Sequence, residues 1–367
     1  MPLVATILPP REGFGPGSAG AIGMIARRLA RTPDFQTVVF GGRQDGPIFP
    51  DIDFRPVAPS PWRIGSTNLR YAAAVADAVR RLKPALLEVH NRPEMALAIA
   101  ERVPSIPIVG FLHNDPIGMR GATSTAERTH LLKTLTCVAM PSAFLRDRLL
   151  DGLVDPPKRP AIVPNCLDLS EFPPPAAKER RILFVGRVVA DKAPDVFVSA
   201  FAAAAPHVPG WTAEIIGADR FSQDSPETPY VRSVKAAAEA AGVRILGFRR
   251  HRDVLEAMNR AAIVVMPSRW DEPFGLVALE AMASRTALIC SPRGALQEVA
   301  GDAALFIDPD DIAGVAAAIR TLCGDEARRQ TLAEAGHRRA AQFDLGPVTA
   351  RLAELRMRLI AGDRLTM

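Results

Sequence analysis

Two carboxylates in the segment RWDEPFGLVALEAMASRTALI (residues 269–289) stand eight positions apart, Glu272 before an apolar stretch and Glu280 inside it. Carboxylates accept hydrogen bonds from hydroxyl groups strongly, so Glu272 could bind sugar hydroxyls and Glu280 ribose hydroxyls. A carboxylate among the apolar residues FGLVALEAMA is costly unless it has a partner, so Glu280 should have one. The alternative is a purely structural helix in which Glu280 lies on a solvent-facing stripe.

The turn between the two carboxylates leads into a predicted helix. Pro273, Phe274 and Gly275 come first, and the helix should begin at about Gly275, with Leu276 and Val277 in its first turn. The first N–H groups of a helix lack partners within it, and the helix dipole attracts negative charge to them. The segment therefore predicts a phosphate-binding helix N-terminus.

Two cations, Arg187 and Lys192, lie five positions apart in LFVGRVVADKAP, on a loop between a predicted strand and a predicted helix. Together they could neutralise a diphosphate as it becomes a leaving group; a solvated loop is the alternative. A second loop, in ILGFRRHRDV, places Phe248 and Arg249 where backbone groups could hydrogen-bond the edge of a base. Taken alone, that loop is explained as simply by an ordinary strand-to-helix connection.

Two His-Asn pairs follow predicted strands in the first half of the chain. His90 and Asn91 end the strand in LEVHNRP, and His113, Asn114 and Asp115 end the strand in GFLHNDPIGMRG. Ligands of doubly wound sheets bind beyond the carboxyl ends of the strands. A lone histidine is more often structural than catalytic, but two pairs at equivalent strand ends favour a functional role.

A glycine-rich loop, GPGSAG, carries Gly15, Gly17 and Gly20 in the G-x-G-x-x-G spacing of dinucleotide sites. The match is imperfect, because PPREGF separates it from the preceding strand and no acidic residue closes the next strand, QTVVFG. We interpret the segment as a loop whose N–H groups and following helix N-terminus face an anion. A tight turn without a ligand is an equal alternative on local evidence.

The composition is that of a soluble globular protein, with 48% of the 367 residues hydrophobic and 23% charged. We expect a cytoplasmic location, since MPLVATILPP lacks the features of a signal peptide and no apolar run reaches the ~20 residues that span a bilayer. Four dispersed cysteines predict reduced thiols. A net charge of +5 permits an anionic ligand, and the 6% of aromatic residues disfavours nucleic-acid binding.

Short apolar runs such as LVATIL, ALLEVH, RILFVG and AIVVMP alternate with amphipathic helical patterns, which predicts an α/β fold of two doubly wound parallel sheets in tandem. Three consecutive prolines mark the linker between them. The predicted domains are 1–172 and 173–345, followed by a separate helix at 346–367 that should pack back on the first domain. The ligand site is expected in the cleft between the domains.

The chain resembles the retaining family-4 glycosyltransferases (glycosyl transferases group 1). Glu272-Pro273-Phe274-Gly275 with Glu280 is similar to the E-x7-E motif of that family, and ILFVGRVVADK resembles its Arg…Lys diphosphate loop. IVPNCLDLSEF resembles its interdomain segment, with Cys166 where the family usually has glycine. The resemblance implies the GT-B fold, in which two Rossmann-like domains face each other across a cleft and the second binds most of the nucleotide-sugar donor.

The resemblance also implies roles for individual residues. Lys192 and Arg187 would stabilise the departing diphosphate, and Glu272 would accept a hydroxyl hydrogen bond from the sugar. His113 best matches the family's histidine that contacts the donor sugar and supports the transition state. Gly17 would lie in a loop whose N–H groups approach the donor phosphate. His90, Asn91, Asn114 and Asp115 are candidates for the acceptor side, and retention of configuration requires no side-chain nucleophile.

Neither a metal nor another cofactor is expected, and the nucleotide sugar is a co-substrate. Asp51 and Asp53 in FPDIDF resemble a metal-binding D-x-D, but we predict a turn there, and DPDD at 308–311 should cap a helix. A UDP-sugar that carries a hexose or N-acetylhexosamine is the expected donor, with GDP-mannose second. The expected acceptor is a glycan or a lipid-linked precursor of lipopolysaccharide or exopolysaccharide.

The helix SAGAIGMIARRLART carries Arg27, Arg28 and Arg31 beside apolar residues, so it could lie on anionic lipid at the inner face of the membrane. A core-facing helix with a solvated basic face is the simpler interpretation.

Two other functions remain open. One is an NAD(P)-dependent dehydrogenase built on the glycine-rich loop, which leaves Glu272 and Glu280 unexplained. The other is a non-catalytic subunit that binds nucleotide sugars.

Overall fold

The computed structural model describes residues 1–59, 65–220 and 227–363. The chain divides into two compact units, Met1–Cys166 with Leu345–Met367, and Leu167–Asp344. The division lies before the prolines of the predicted linker, because the chain just after Cys166 is held by the second unit: the Leu167 N–H donates to the carbonyl of Phe343 at 2.9 Å. Residues 364–367 of the predicted C-terminal segment lie outside the described residues.

The first unit contains a parallel sheet whose strands come from the predicted apolar runs. Within the described residues these are β1 (Leu3–Ile7), β2 (Gln36–Gly41), β3 (Asp53–Pro56), β4 (Leu86–His90), β5 (Ile108–Phe111), β6 (Cys137–Met140) and β7 (Ala161–Ile162). Their order in the sheet is β3-β2-β1-β4-β5-β6-β7. The helices between them are α1 (Ala21–Ala30), α2 (Thr67–Leu82), α3 (Pro93–Ala100), α4 (Thr125–Thr134) and α5 (Ala143–Leu150).

The second unit repeats the scheme. Its described strands are β8 (Glu179–Val185), β9 (Thr212–Ile216), β10 (Arg244–Gly247), β11 (Ala261–Met266), β12 (Ala287–Cys290) and β13 (Ala304–Phe306), in the order β10-β9-β8-β11-β12-β13. Its helices are α6 (Pro194–Ala204), α7 (Pro229–Ala240), α8 (His251–Arg260), α9 (Leu276–Ala283), α10 (Leu296–Ala300), α11 (Ile312–Gly324) and α12 (Glu326–Ala341). The neighbouring strands of both sheets pair in parallel, so the predicted doubly wound α/β architecture is confirmed in each unit.

The order of strands reverses beside β1 in the first sheet and beside β8 in the second. Ligands of open parallel sheets bind outside the carboxyl ends of the strands at such points. His90 ends β4, the neighbour of β1, and Lys192 and Glu272 follow β8 and its neighbour β11. The topology therefore places these predicted site residues at the ligand side of their own sheets.

Helix α13 (Leu345–Ile360) belongs to the first unit, where a buried ion pair joins it to β4. The Arg356 guanidinium donates to both carboxylate oxygens of Glu88, each at 2.8 Å. The Thr6 hydroxyl in β1 donates to the same carboxylate at 3.3 Å. The side chains of Arg356 and Glu88 are 0% and 1% exposed, so α13 contributes a charge to the interior of this unit.

The turn predicted for FPDIDF is partly wrong. Asp51 lies in a turn, but Asp53 begins β3, which pairs with β2 at the edge of the sheet. The aromatic ring of Phe54 stacks on that of Phe14 with centroids 5.1 Å apart. Pro56 is tolerated because an edge strand can lose one backbone donor, so packing against a distant aromatic residue decides the conformation.

The predicted cap at 308–311 is confirmed, since the Asp311 carboxylate accepts from the Gly314 N–H at 2.9 Å and α11 follows.

All four cysteines are buried free thiols, as predicted. Burial raises the pKa of Cys290 to about 12, so that thiol stays protonated at neutral pH. Among the helices of the described residues, none has the length and apolar character needed to cross a bilayer.

Candidate functional site

In the second unit, the Lys192 ammonium donates to the Glu272 carboxylate at 2.5 Å. The Ser268 hydroxyl donates to the same oxygen at 2.9 Å. The Glu272 side chain is 7% exposed and that of Lys192 is 22% exposed, so this is a largely buried ion pair. The structure thus brings together two residues that the sequence predicted on separate loops, and it adds Ser268, which the sequence analysis did not single out.

Backbone hydrogen bonds between the loops after β8 and β11 bring the ion pair together. The carbonyl of Asp191 accepts from the N–H groups of Arg269 and Trp270, at 2.9 and 3.0 Å. Lys192 follows Asp191 directly in a 3₁₀ turn, so its side chain reaches the neighbouring loop. The position of the cation is therefore determined by main-chain contacts that depend little on side-chain identity.

The turn after Glu272 requires glycine at two positions. Gly275 has a φ of +95° as the N-cap of α9, and a Cβ there would lie 2.4 Å from the Leu296 side chain. A Cβ on Gly294 would lie 2.4 Å from the backbone of Glu272, with which Gly294 forms a parallel bridge. Helix α9 begins at Leu276, as predicted, and Gly275 supplies no side-chain cap. The first N–H groups of α9 thus follow directly after the ion pair.

Glu280 lies inside α9 and has a partner, as its position in an apolar run predicted. Its side chain is 10% exposed, and its carboxylate lies 2.8 Å from His251 Nε2 at the start of α8. The alternative of a solvent-facing stripe is therefore wrong. His251 was missed by the sequence analysis, although a histidine in the first turn after a strand-end loop is a usable signal.

The remaining donor-side candidates lie on their predicted loops. Arg187 and Phe248 are half-buried, and Val277 and Pro273 are half-buried beside the start of α9. Phe274 is buried with its ring 5.7 Å from that of Phe343. The exposed Arg249 donates to the carbonyl of Phe248 at 3.1 Å, so its guanidinium turns back on its own loop.

In the first unit, two buried histidines hydrogen-bond each other. His90 Nδ1 lies 2.9 Å from His113 Nε2, and the ring of His90 contacts those of His113 and Phe111, whose centroids are 5.1 and 4.9 Å away. The Asn91 carboxamide oxygen accepts from the backbone N–H of His113 at 3.1 Å. His90 and Asn91 were predicted on the acceptor side; their side chains are buried and engaged with His113.

Asn114 and Asp115 follow this pair on the surface. Asn114 is exposed. The Asp115 carboxylate accepts from the Ile117 N–H at 3.0 Å and forms an ion pair with Arg148 at 2.8 Å. The Asn114 side chain is thus accessible, whereas the Asp115 carboxylate is occupied by the Ile117 N–H and Arg148.

Burial holds both histidines neutral. It lowers the pKa of His90 to about 3, with the nearby Arg356 charge adding to the effect. It lowers the pKa of His113 to about 3 as well, helped by His90 and opposed by a side-chain hydrogen bond with Asn165. At neutral pH, neither ring carries a positive charge.

Because of these depressed pKa values, the free energy of unfolding should decrease as the pH is lowered. The unfolded chain binds a proton at each histidine below about pH 6.5, whereas the folded chain does not. The contribution of the two histidines to the free energy of unfolding should be fully present above that pH. It should fall by about 1.4 kcal/mol per pH unit for each histidine as the pH drops below it. Urea unfolding between pH 7.5 and 5.5 measures the slope, and His90→Phe should reduce it by about half. A pH-independent midpoint for the first unit would contradict this assignment.

The glycine-rich loop is filled by the protein itself. A Cβ on Gly13 or Gly15 would lie 2.0 or 1.8 Å from the carbonyl oxygen of Ser18 or Pro47. The Glu12 carboxylate accepts from the Gly23 N–H at 3.0 Å at the start of α1. Burial raises the pKa of Glu12. The anion at this helix N-terminus is thus a side chain, while Gly17, with a φ of +85°, is exposed at the tip of the loop.

The basic residues of α1 have protein partners. Arg27 and Arg31 both form ion pairs with Asp51, at 3.1 and 2.9 Å. Arg28 is 3% exposed and donates to the carbonyl of Cys166 at 2.9 Å. Asp51 is therefore occupied by arginines, and across residues 1–59, 65–220 and 227–363 no group of His, Cys, Asp and Glu side chains is arranged to hold a metal ion.

Two family models match the chain: "Glycosyltransferase Family 4" over residues 17–171 and "Glycosyl transferases group 1" over residues 168–339. The glycogen synthase of Mycobacterium tuberculosis is 27% identical over 304 residues, which cover 78% of this chain and 71% of that protein. The solved structure of a sucrose-phosphate synthase from Thermosynechococcus elongatus superimposes with a TM-score of 0.80, at 20% identity, over 99% of this chain and 100% of the other. The Anabaena protein HepE, solved in complex with UDP and glucose, gives a TM-score of 0.75 at 19% identity over 96% and 98% of the two chains.

Proposed function

The chain belongs to the family-4 glycosyltransferases of GT-B fold, and we propose that it is a retaining, metal-independent enzyme that transfers a hexosyl or N-acetylhexosaminyl unit from a nucleotide sugar to a hydroxyl group of a glycan or glycolipid. The observation that carries the proposal is the buried Lys192–Glu272 ion pair at the N-terminus of α9. It combines a cation and first-turn helix N–H groups for a diphosphate with a carboxylate for sugar hydroxyls.

The donor diphosphate is the leaving group, and its developing charge needs stabilisation as the anomeric bond stretches. The remaining N–H groups of the Lys192 ammonium, the Arg187 guanidinium and the first N–H groups of α9 provide it. Backbone contacts between the loops after β8 and β11 hold Lys192 in place before the reaction, so little reorganisation accompanies the charge movement there. The acceptor hydroxyl attacks on the face that the diphosphate leaves and gives its proton to the departing phosphate oxygen, which retains the configuration at the anomeric carbon.

The two carboxylates bind hydroxyl groups at different parts of the donor. Glu272 is anchored by Lys192 and Ser268 and can accept from a sugar hydroxyl with its second oxygen. Glu280 is anchored by His251 and can accept from ribose hydroxyls. Anchoring matters because positioning supplies much of the rate in transfers that pass through an oxocarbenium-like transition state.

His113 acts as a neutral hydrogen-bond donor to the donor sugar in this proposal. Its depressed pKa excludes a standing positive charge near pH 7, so it contributes polar contact and orientation. The acceptor is bound by the first unit, where Asn114 is the accessible candidate. Helix α1 receives no lipid-binding role, since its arginines have protein partners.

A UDP-sugar is the favoured donor, because a structural neighbour is solved with UDP and glucose and the resemblance to the family points the same way. GDP-mannose is the second candidate. The acceptor proposed is a precursor of lipopolysaccharide or exopolysaccharide, made at the cytoplasmic side of the membrane. A dehydrogenase is disfavoured, because the glycine-rich loop is packed against its own backbone and Glu12.

A panel of UDP- and GDP-sugars, read by release of the nucleoside diphosphate, tests the function. We expect release from one UDP-sugar, unchanged by EDTA, and a product whose anomeric configuration by NMR equals that of the donor. Thermal stabilisation by UDP but not by NADP should accompany it. Nucleotide binding without turnover for every donor and acceptor would instead indicate a non-catalytic subunit, and stabilisation by NADP alone would indicate a dehydrogenase.

A further inference from the structure

We propose that His90 is a positioning residue for sugar transfer: it donates its Nδ1 proton to Nε2 of His113 and so holds His113 in the tautomer that carries its proton on Nδ1. The inference deepens the proposed function and rests on it for the role of His113. The geometry is that of a direct hydrogen bond between two buried rings, 2.9 Å from nitrogen to nitrogen. His90 is 0% exposed, so it acts through His113 and has no access to substrate itself.

The direction of this hydrogen bond follows from the other nitrogen of His90. His90 Nε2 is buried and has no hydrogen-bond partner in the described structure. If His90 accepted at Nδ1, its proton would sit on Nε2 as a buried N–H without an acceptor. Orphaned buried N–H groups are rarer than unsatisfied acceptors, so His90 carries its proton on Nδ1 and donates it.

Asn165 is the other neighbour of the His113 ring. Its side chain forms a hydrogen bond with His113 that opposes the lowering of the His113 pKa by burial. His113 Nε2 is engaged by His90, which leaves Nδ1 for this bond. An imidazole N–H at Nδ1 can donate to the Asn165 amide oxygen, so the tautomer that His90 requires gives both nitrogens of His113 a partner.

The surroundings keep the pair neutral and fixed. The charged groups near His90 are Arg356 and its partner Glu88, which are paired with each other. The ring of His90 packs against those of Phe111 and His113, and the backbone N–H of His113 donates to the Asn91 carboxamide oxygen. His113 therefore has one N–H to offer, and a sugar hydroxyl can take it in place of, or together with, the Asn165 oxygen.

The substitutions His90→Phe and His90→Asn separate the hydrogen bond from the packing. Phenylalanine keeps the stacked ring and removes the donor, whereas the asparagine amide N–H₂ can occupy the place of Nδ1–H. We expect His90→Phe to lower kcat about ten- to a hundredfold with the donor KM within about twofold, somewhat less than the roughly hundred- to thousandfold loss when a transition-state hydrogen-bond donor is removed outright. His90→Asn should recover most of the activity. His130→Phe replaces an exposed histidine on α4 and is the matched control. It should leave kcat and the donor KM unchanged.

The tautomer is read directly from ¹⁵N-histidine imidazole spectra at pH 7.5. The wild type and His90→Asn should show His113 protonated on Nδ1 alone, and His90→Phe should show a mixture of the two neutral forms. An unchanged His113 spectrum in a folded His90→Phe protein would overturn the proposal, as would full activity of that variant. If the wild type transferred no sugar, the proposed function would fail, while the spectra would still decide whether His90 sets the tautomer.

Discussion

Replacing Lys192 with methionine should lower kcat/KM for the nucleotide sugar by roughly a hundred- to a thousandfold, because preorganised groups that meet developing charge are worth that much in a water-poor site. Methionine keeps the length and the apolar stem of lysine and removes only the charge. The Lys192 side chain is 22% exposed and lies against a carboxylate that is 7% exposed, so water replaces it poorly. Release of the nucleoside diphosphate under kcat/KM conditions measures the loss.

Stability separates the two roles of this lysine. Lys192→Met leaves the buried Glu272 carboxylate without its cation, which should destabilise the second unit. The double variant Lys192→Met/Glu272→Gln removes the orphaned charge and should recover stability but no activity. The matched control is Lys235→Met, which breaks the Lys235–Glu227 ion pair in the same unit, where both side chains are about half exposed; it should change stability by less than about 1 kcal/mol. Activity that returned with stability in the double variant would show that Lys192 is only structural.

The elements of both units follow from local patterns, and the site follows only in part. Runs such as RILFVG and AIVVMP are buried strands β8 and β11 because alternating strands and helices can bury such runs only in a parallel sheet. The cap at Asp311 is local chemistry, and it was predicted. By contrast, β3 depends on Phe54 stacking on a residue forty positions earlier, so the local prolines misled the prediction.

Partners distant in sequence could not be predicted from spacing. Glu280 needed a partner, and the strand-end position of His251 made it a candidate, but nothing in the 29 positions between them indicates that these two side chains meet. His113 was predicted for its type and strand-end position, whereas its neutrality depends on burial against His90. The glycine-rich loop predicted an anion at the start of α1, and the anion in the structure is the nearby Glu12 carboxylate. A sequence thus indicates which chemistry a site needs more readily than which residue supplies it.

Replacing Arg356 with methionine should destabilise the first unit by about 3–5 kcal/mol, the cost of leaving one partner of a buried ion pair uncompensated. For a unit of this size the loss corresponds to a fall in its melting temperature of roughly 10 °C. The loss is large because Arg356 is 0% exposed and donates two hydrogen bonds of 2.8 Å to Glu88. Urea unfolding followed by a probe in the first unit measures the change.

A buried ion pair stabilises little relative to neutral groups of the same shape, although breaking it is costly, since each charge loses its hydration on folding. The double variant Arg356→Met/Glu88→Gln should therefore recover most of the stability that Arg356→Met loses, and the glutamine oxygen still accepts from the Thr6 hydroxyl. Arg55→Met, at an ion pair whose side chains are both 47% exposed, should change stability by less than about 0.5 kcal/mol. If the double variant were as unstable as Arg356→Met, the arginine would act mainly through its packing on the Phe35 ring, 5.3 Å away, rather than by compensating the charge of Glu88.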